Sequence, residues 1–215
     1  MATAALPETD GRRIRGARTR EAILEAAATL ASVVGLEGLS LGTLATHLGM
    51  SKSGLYAHFA SKEDLQVAAI RAADAMYLRD VGVPAQAAPP GRARLLAFVD
   101  TFLDYVRDGP FPGGCFFIAS YMDHARLRAP VRSELARVQQ ELFEFLSESA
   151  RDAQALGELA EDLDPDAIAF ELDALLVGTD VNFVLFGDPS YLERGRRAAR
   201  RMLGVVEGRR DPVTR

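Results

Sequence analysis

The stretch SKSGLYAHFASKEDL, from Ser51 to Leu65, contains the only two lysines of a 215-residue chain, Lys52 and Lys62. Arginine supplies the basic charge everywhere else in the sequence. Here the lysines stand beside serines, a glycine and a histidine. Ammonium and hydroxyl groups on one short helix can donate to and accept from base edges and phosphates. The stretch therefore predicts a polar helix that contacts nucleic acid.

The charge of the chain is unevenly distributed around this stretch. The formal net charge is −5, which by itself argues against nucleic-acid binding. Between Gly11 and Lys62, however, seven basic residues face only three acidic ones, so this segment carries +4 and the remainder −9. A basic patch on an acidic body can approach phosphate locally while the body repels it.

Capping signals place the polar stretch in a pair of short helices. Ser40 is a good N-cap for one helix, which Gly49 ends, and Ser51 is a good N-cap for the next, which is predicted to run to about Phe59. A small residue at Ala45 allows the helices to cross, and an apolar residue at Leu55 seats the second one. This spacing predicts a helix-turn-helix over about residues 41–60.

The remaining periodic segments are also helical, and no run alternates with period two for long enough to predict a strand. A fourth helix is predicted after Ser61, with Asp64 completing a capping box. The composition break at Val81–Gly91 suggests a domain boundary. We predict an all-α fold of about nine helices, with a three-helix DNA-binding domain over 15–80 and a helical bundle over 90–207.

Eight residues are predicted to contact DNA: Thr43, Ser51, Lys52, Ser53, Gly54, Tyr56, His58 and Lys62. Those at the start of the second helix would meet base edges in the major groove first, and the later ones would meet phosphates. Lys62 would lie beside the free N–H groups that begin the next helix. The alternative for each residue alone is an ordinary exposed polar side chain.

The segment TREAILEAAATLASVVGLEGLSLGTLATHLGMSKSGLYAHFASKEDL, within Arg18–Met76, resembles the DNA-binding domain of the tetracycline-repressor (TetR) family. The motif GMSKSGLYAHFASKEDL, from Gly49 to Leu65, carries most of this resemblance. It implies a homodimer that binds a palindromic operator, represses transcription and leaves DNA when a small molecule binds the C-terminal domain. It also implies DNA contacts at six of the eight residues, all except Ser51 and Gly54.

Aromatic residues on several C-terminal helices suggest a pocket for a small apolar or aromatic ligand. The residues predicted to line it are Phe102, Tyr105, Cys115, Phe116, Tyr121, Phe143 and Phe183. Plain core packing is the alternative for each of them. Cys115 opens a helix, where the helix dipole can lower a thiol pKa. Oxidation of Cys115 is therefore one alternative control signal, and binding of a protein partner is another.

The last two helices, predicted over 165–186 and 189–206, are expected to form the dimer interface. The first is apolar almost all round, and the second pairs an apolar face with an arginine face. The predicted interface residues are Leu172, Leu175, Leu176, Phe183, Phe186, Leu192, Ala199, Met202, Leu203 and Val206. Burial of these faces within one chain is the alternative.

Other functional classes have little support in the sequence. The single cysteine excludes an internal disulfide and favours a reducing compartment. Acidic residues interrupt the most apolar stretch, so we expect a soluble cytoplasmic protein without a membrane span. There are three histidines, and we find no metal-binding spacing, nucleophile motif or phosphate-binding glycine loop. We therefore expect neither an enzyme nor a bound cofactor or metal.

Overall fold

The computed structural model describes the backbone of residues 8–205 and the side chains of residues 19–205. This part of the chain forms ten α-helices and one π-helical turn and contains no strand, so the predicted all-α class is confirmed. The helices are α1 (Glu8–Gly38), α2 (Leu41–Leu48), α3 (Lys52–Tyr56), α4 (Lys62–Tyr77), α5 (Val83–Gln86), α6 (Arg92–Asp108), α7 (Phe116–Tyr121), α8 (Ala129–Ala155), α9 (Pro165–Phe186) and α10 (Ser190–Met202).

The chain forms two compact units, each made of two separate segments. One unit joins Met1–Tyr77 with Pro110–Val138, and the other joins Leu78–Gly109 with Gln139–Arg215. The long helix α8 contributes to both. The domain limits predicted from the sequence, 15–80 and 90–207, remain a prediction.

In the first unit, α1 packs against α2, α4 and α7. Its helical path is interrupted at Gly35, where φ is 73° and ψ is 163°. Gly113, which precedes α7, lies against the backbone of α1, since a Cβ at this glycine would be 1.9 Å from the carbonyl oxygen of Ser32. The interruption and the close approach both require glycine.

The predicted caps of the helix-turn-helix are present. Thr43 N–H donates to Ser40 Oγ, and Ser40 N–H donates to Thr43 Oγ1, which forms a reciprocal capping box at α2. Gly49 ends α2 in the left-handed conformation, with φ of 63°. Ser51 Oγ accepts the Gly54 N–H at 3.1 Å and starts α3.

The start of α4 differs slightly from the predicted capping box. Ser61 Oγ accepts the Asp64 N–H at 3.0 Å, as expected for an N-cap. The Asp64 carboxylate accepts from the N–H of Ala60 at 2.9 Å, one residue before the cap. These two hydrogen bonds still satisfy two backbone N–H groups at the start of α4.

Two other segments have structure that the sequence did not predict. The segment 81–91 begins within a π-helical turn, Leu78–Gly82, and continues into α5, while the domain boundary placed there remains a prediction. The helix predicted from Cys115 to about Leu127 ends at Tyr121, and turns follow it. The Arg126 N–H donates to the Asp123 carbonyl oxygen at 2.9 Å, an i→i−3 hydrogen bond that is typical of a turn.

In the second unit, α10 packs against both α6 and α9. Arg196 of α10 donates to the carboxylate of Asp100 and lies 3.4 Å from Asp104 Oδ1, so it joins α10 to α6. Gly195 faces α9, where a Cβ would lie 2.4 Å from Thr179 Oγ1 and 2.6 Å from Thr179 Cγ2. The two helices can approach this closely only because residue 195 has no side chain.

Asp173 of α9 is a partly buried carboxylate of the second unit. Burial raises its pKa, and a hydrogen bond from Gln139 Nε2 at 3.2 Å opposes this shift only in part. The other polar atom of that amide, Gln139 Oε1, is buried without a hydrogen-bond partner among the described residues. The surroundings of Asp173 therefore disfavour its charged form.

Replacing Gly195 with alanine should destabilise the fold by about 1–3 kcal/mol, because the added methyl group overpacks a stiff β-branched neighbour. Urea denaturation of the two proteins measures the difference. In a Thr179→Ala background the same change should cost less, since both clashing atoms are gone. An equal loss of unfolding free energy in the two backgrounds would contradict the close contact between Gly195 and Thr179.

Replacing Asp173 with asparagine should raise the melting temperature at pH 7. A raised native pKa means that the folded wild type binds its proton more tightly, so its stability falls as pH rises from about 3.9, the ordinary unfolded value, through the native pKa. The asparagine variant has no charge at this position and therefore lacks this fall in stability. Thermal melts from pH 4 to pH 8 measure the effect.

The control for this change is Asp162→Asn, which alters an exposed carboxylate before α9. Its melting curve should follow the wild type across the same pH range. An Asp173→Asn variant with the wild-type pH dependence would show that burial of Asp173 imposes no cost.

Candidate nucleic-acid interface

The short helix α3 is seated on two fully buried side chains. Leu55 is 0% exposed and Phe59, just beyond the helix, is 1% exposed. Arg20 of α1 lies over the Phe59 ring, 4.6 Å from its centroid, and donates to the carbonyl oxygen of His58. The apolar side of this segment is thus fixed to the rest of the unit, which leaves its polar side outward.

The outward side carries most of the residues that were predicted to contact DNA. Ser51, Lys52 and Ser53 are exposed, Tyr56 is 60% exposed and Gly54 is partly buried. Ser51 Oγ and Ser53 Oγ lie 3.2 Å apart, so the two hydroxyls share a hydrogen bond. The amine of Lys52 is close to α2, 3.7 Å from where a Cβ of Gly42 would be.

Thr43 and His58 already have partners within the chain. Thr43 is exposed, but its hydroxyl takes part in the capping box and also lies 3.2 Å from the carbonyl oxygen of Gly38. His58 is half-buried, with its ring tilted against Phe59 at 6.4 Å between centroids. Their predicted phosphate contacts would be made from these fixed positions.

Lys62 is also held by the chain itself. Its Nζ donates to the Glu37 carbonyl oxygen at 2.7 Å and lies 3.0 Å from Glu37 Oε1. The neighbouring Glu63 pairs with Arg128 at 2.9 Å, and its pKa is lowered, chiefly by a hydrogen bond from a backbone N–H. Lys62 was predicted from the sequence as a DNA contact, but its partner Glu37 was not predicted, although it is the only side-chain carboxylate between Glu25 and Glu63.

The residues predicted to line a ligand pocket belong to two different units. Cys115, Phe116 and Tyr121 lie in the first unit, where Phe116 packs against Phe111 and Phe117 and Cys115 is 2% exposed. The remaining four lie in the second unit; they are Phe102, Tyr105, Phe143 and Phe183. Their common role in ligand binding remains a prediction.

Two open grooves adjoin along α8 in the second unit. The larger, about 390 Å³, lies between α8 and α9 and includes the predicted ligand residue Phe143; its lining residues are Gln140, Phe143, Glu144, Ser147, Glu148, Arg151, Asp166 and Phe170. The smaller, about 270 Å³, reaches α5 and α6 and shares Glu148 and Arg151 with the first. Arg151 lies 2.9 Å from Asp166 Oδ1. Charged groups of both signs thus line an opening with an aromatic wall.

The residues predicted for a dimer interface divide into two groups. The chain itself buries five of them: Leu172, Leu176, Leu192, Ala199 and Leu203. Phe186 is exposed, and Leu175, Phe183 and Met202 are partly buried. Val206 lies outside the described residues. Exposed apolar residues that were not predicted also lie on α9: Phe170, Val181, Val184 and Leu185.

Among the described residues, no group of histidine, cysteine, aspartate and glutamate side chains has the arrangement of a metal site. None of the described helices is long and apolar enough to cross a membrane.

Two protein-family models match the chain. "Bacterial regulatory proteins, tetR family" matches residues 23–69, which contain α2, α3 and the start of α4. "Tetracyclin repressor-like, C-terminal domain" matches residues 91–199, about half of the chain. No curated protein matches the sequence.

Solved structures agree with the family models. A TetR transcriptional regulator from Chloroflexus aurantiacus J-10-FL is 25% identical, with a TM-score of 0.81 over 88% of this chain and 96% of its own. A TetR-family regulator from Cytophaga hutchinsonii has the same fold at 21% identity, with a TM-score of 0.76 over 96% of this chain and 100% of its own.

A further similar structure was solved with ligands. AibR, in complex with isovaleryl coenzyme A and operator DNA, is 25% identical, with a TM-score of 0.67 over 87% of this chain and 97% of its own. The matched family models, the all-α fold and the α2–α3 geometry lead to one conclusion. The chain belongs to the TetR family of bacterial transcriptional regulators, and α2 and α3 form the DNA-binding helix-turn-helix of that family.

Proposed function

We propose that the chain is a homodimeric repressor that binds a palindromic operator and leaves it when a small molecule binds. The observation that carries the proposal is the two-sided character of α3. Leu55 and Phe59 fix its inner side, while Lys52, Ser53 and Tyr56 extend outward from the same few residues. A helix that is packed against the protein on one side and polar on the other suits insertion into the major groove.

The order of residues along α3 assigns their contacts. Lys52 and Ser53 stand in the first turn, the end that reaches base edges first, and lysine there can donate to guanine O6 and N7. Tyr56, near the C-terminal end, would donate to a phosphate oxygen. Thr43 and His58 flank the helix and would position it on the backbone of the duplex.

A second copy is required because one α3 reads too few bases to select a site. Two copies placed about 34–36 Å apart would meet successive major grooves on one side of the duplex. The proposed contact between copies is the exposed apolar side of α9, formed by Phe170, Val181, Val184 and Leu185. Covering this side removes an apolar patch from water.

A response to a small molecule is supported by the similarity to AibR, which was solved in complex with isovaleryl coenzyme A and operator DNA. The groove between α8 and α9 offers an opening of about 390 Å³ with aromatic and charged walls. Any ligand shifts DNA binding only by its different affinity for the two states of the dimer. Control by a protein partner or by Cys115 oxidation is the alternative, although a buried thiol is a poor target for oxidants.

Replacing Lys52 with alanine should weaken operator binding by about 1–3 kcal/mol for each half-site, roughly 5- to 150-fold per half-site, because a base contact is lost. Fluorescence anisotropy with a labelled operator duplex measures the change. Lys52 is exposed, so the melting temperature should stay unchanged. Arg132→Ala, which removes an exposed positive charge from α8, is the matched control and should bind as the wild type does. Equal operator affinity for Lys52→Ala and the control would contradict the proposed docking.

Replacing Leu185 with aspartate should convert the dimer to monomers of about 23 kDa, because a charge would be buried between the copies. Leu185 is 71% exposed in the single chain, so the fold of each copy should survive. Sedimentation velocity measures the outcome. Leu156→Asp changes a similarly exposed leucine after α8 and should leave the dimer intact. A dimeric Leu185→Asp variant would show that the copies meet elsewhere.

A further inference from the structure

We propose that Glu37 withholds Lys62 from DNA and so sets the affinity of the protein for any duplex. The inference rests on the proposed function, in which Lys62 lies at the protein–DNA boundary. Two oxygens of Glu37 contact the Lys62 amine: its carbonyl oxygen at 2.7 Å and its Oε1 at 3.0 Å. A phosphate that binds this amine must share it with a neighbouring carboxylate.

The interruption of α1 fixes Glu37 in this position. At Gly35 the backbone leaves the helical path, and the next residues turn toward the start of α4. The Leu36 carbonyl oxygen accepts from the amide of Gln66, a buried residue of α4. Glu37 therefore approaches Lys62 from a backbone that is held on the α4 side.

Asp123, after α7, holds the same turn from the other side. Its Oδ2 accepts the Glu37 N–H at 3.2 Å. A Cβ at residue 35 would lie 2.1 Å from that oxygen, so the carboxylate occupies the space that glycine leaves. Asp123 lies within the segment matched by the C-terminal family model, which makes it a positioning residue that connects this segment to Lys62.

Stability alone is a weak reason for the Glu37–Lys62 pair. Both side chains are partly exposed, at 43% and 35%, and exposed ion pairs contribute little to folding. The pair has a clearer effect on DNA binding, because a carboxylate 3.0 Å from the amine competes with a phosphate for the same ammonium group. It would lower the affinity for all duplexes alike, so that only sites with good base contacts stay occupied.

The test compares Glu37→Gln with the wild type on an operator duplex and on an unrelated duplex. The glutamine keeps the shape and the carbonyl contact but removes the negative charge. We expect affinity for both duplexes to rise by about 3- to 10-fold at low salt, as expected for one unit charge near a phosphate. The slope of log K against log salt should steepen by about 0.9 for each additional phosphate that the variant neutralises.

The matched control is Glu25→Gln, which makes the same charge change at an exposed position of α1. If Glu37→Gln and Glu25→Gln have equal affinities and equal salt slopes, the inference is wrong. Glu37→Ala serves as a second variant and should likewise raise the DNA affinity and steepen the salt slope. Melting temperatures confirm that each variant is folded.

The Lys62→Ala background separates this mechanism from a general charge effect. Without the amine, Glu37→Gln should change DNA affinity no more than Glu25→Gln does. An undiminished effect in that background would also overturn the inference, since Glu37 would then act without Lys62. If the wild type bound no duplex at all, the proposed function itself would fail, and this result is distinct from both outcomes above.

Discussion

DNA reading by this protein depends on the burial of Leu55 and Phe59 beneath a five-residue helix. A helix as short as α3 has almost no stability of its own, because a single turn fixes more backbone than its hydrogen bonds repay. Its position is therefore set by tertiary packing, by the left-handed turn at Gly49 and by the Ser51 cap. Because this burial fixes the inner side of α3, Lys52 and Tyr56 face outward.

A second constraint acts through the interruption of α1 at Gly35. Because this residue has no side chain, Asp123 can approach the turn and hold Glu37, which in turn holds Lys62. One backbone irregularity thus connects a residue of the C-terminal family match to the first turn of α4. In the proposed mechanism, the carboxylate of Glu37 lowers the attraction of this basic N-terminal segment for phosphate.

Local signals made the helix-turn-helix predictable from sequence. Ser40, Gly49 and Ser51 act within three or four residues of themselves, so their roles can be read from the chain. The contact between Asp123 and Glu37 joins residues 86 positions apart and has no local signature.

Helix α9 posed a different difficulty. It is apolar on nearly every side, so periodicity did not reveal that Leu172 and Leu176 face the core while Val181 and Leu185 face solvent.

The most direct test of the account is methylation interference on a duplex that the protein selects. Dimethyl sulfate modifies guanine N7 in the major groove and adenine N3 in the minor groove, so it separates the two ways of reading a site. Two α3 helices in the major groove should give interference at guanines in two clusters centred about one helical turn or slightly more apart. A single cluster, or interference confined to adenines, would contradict it.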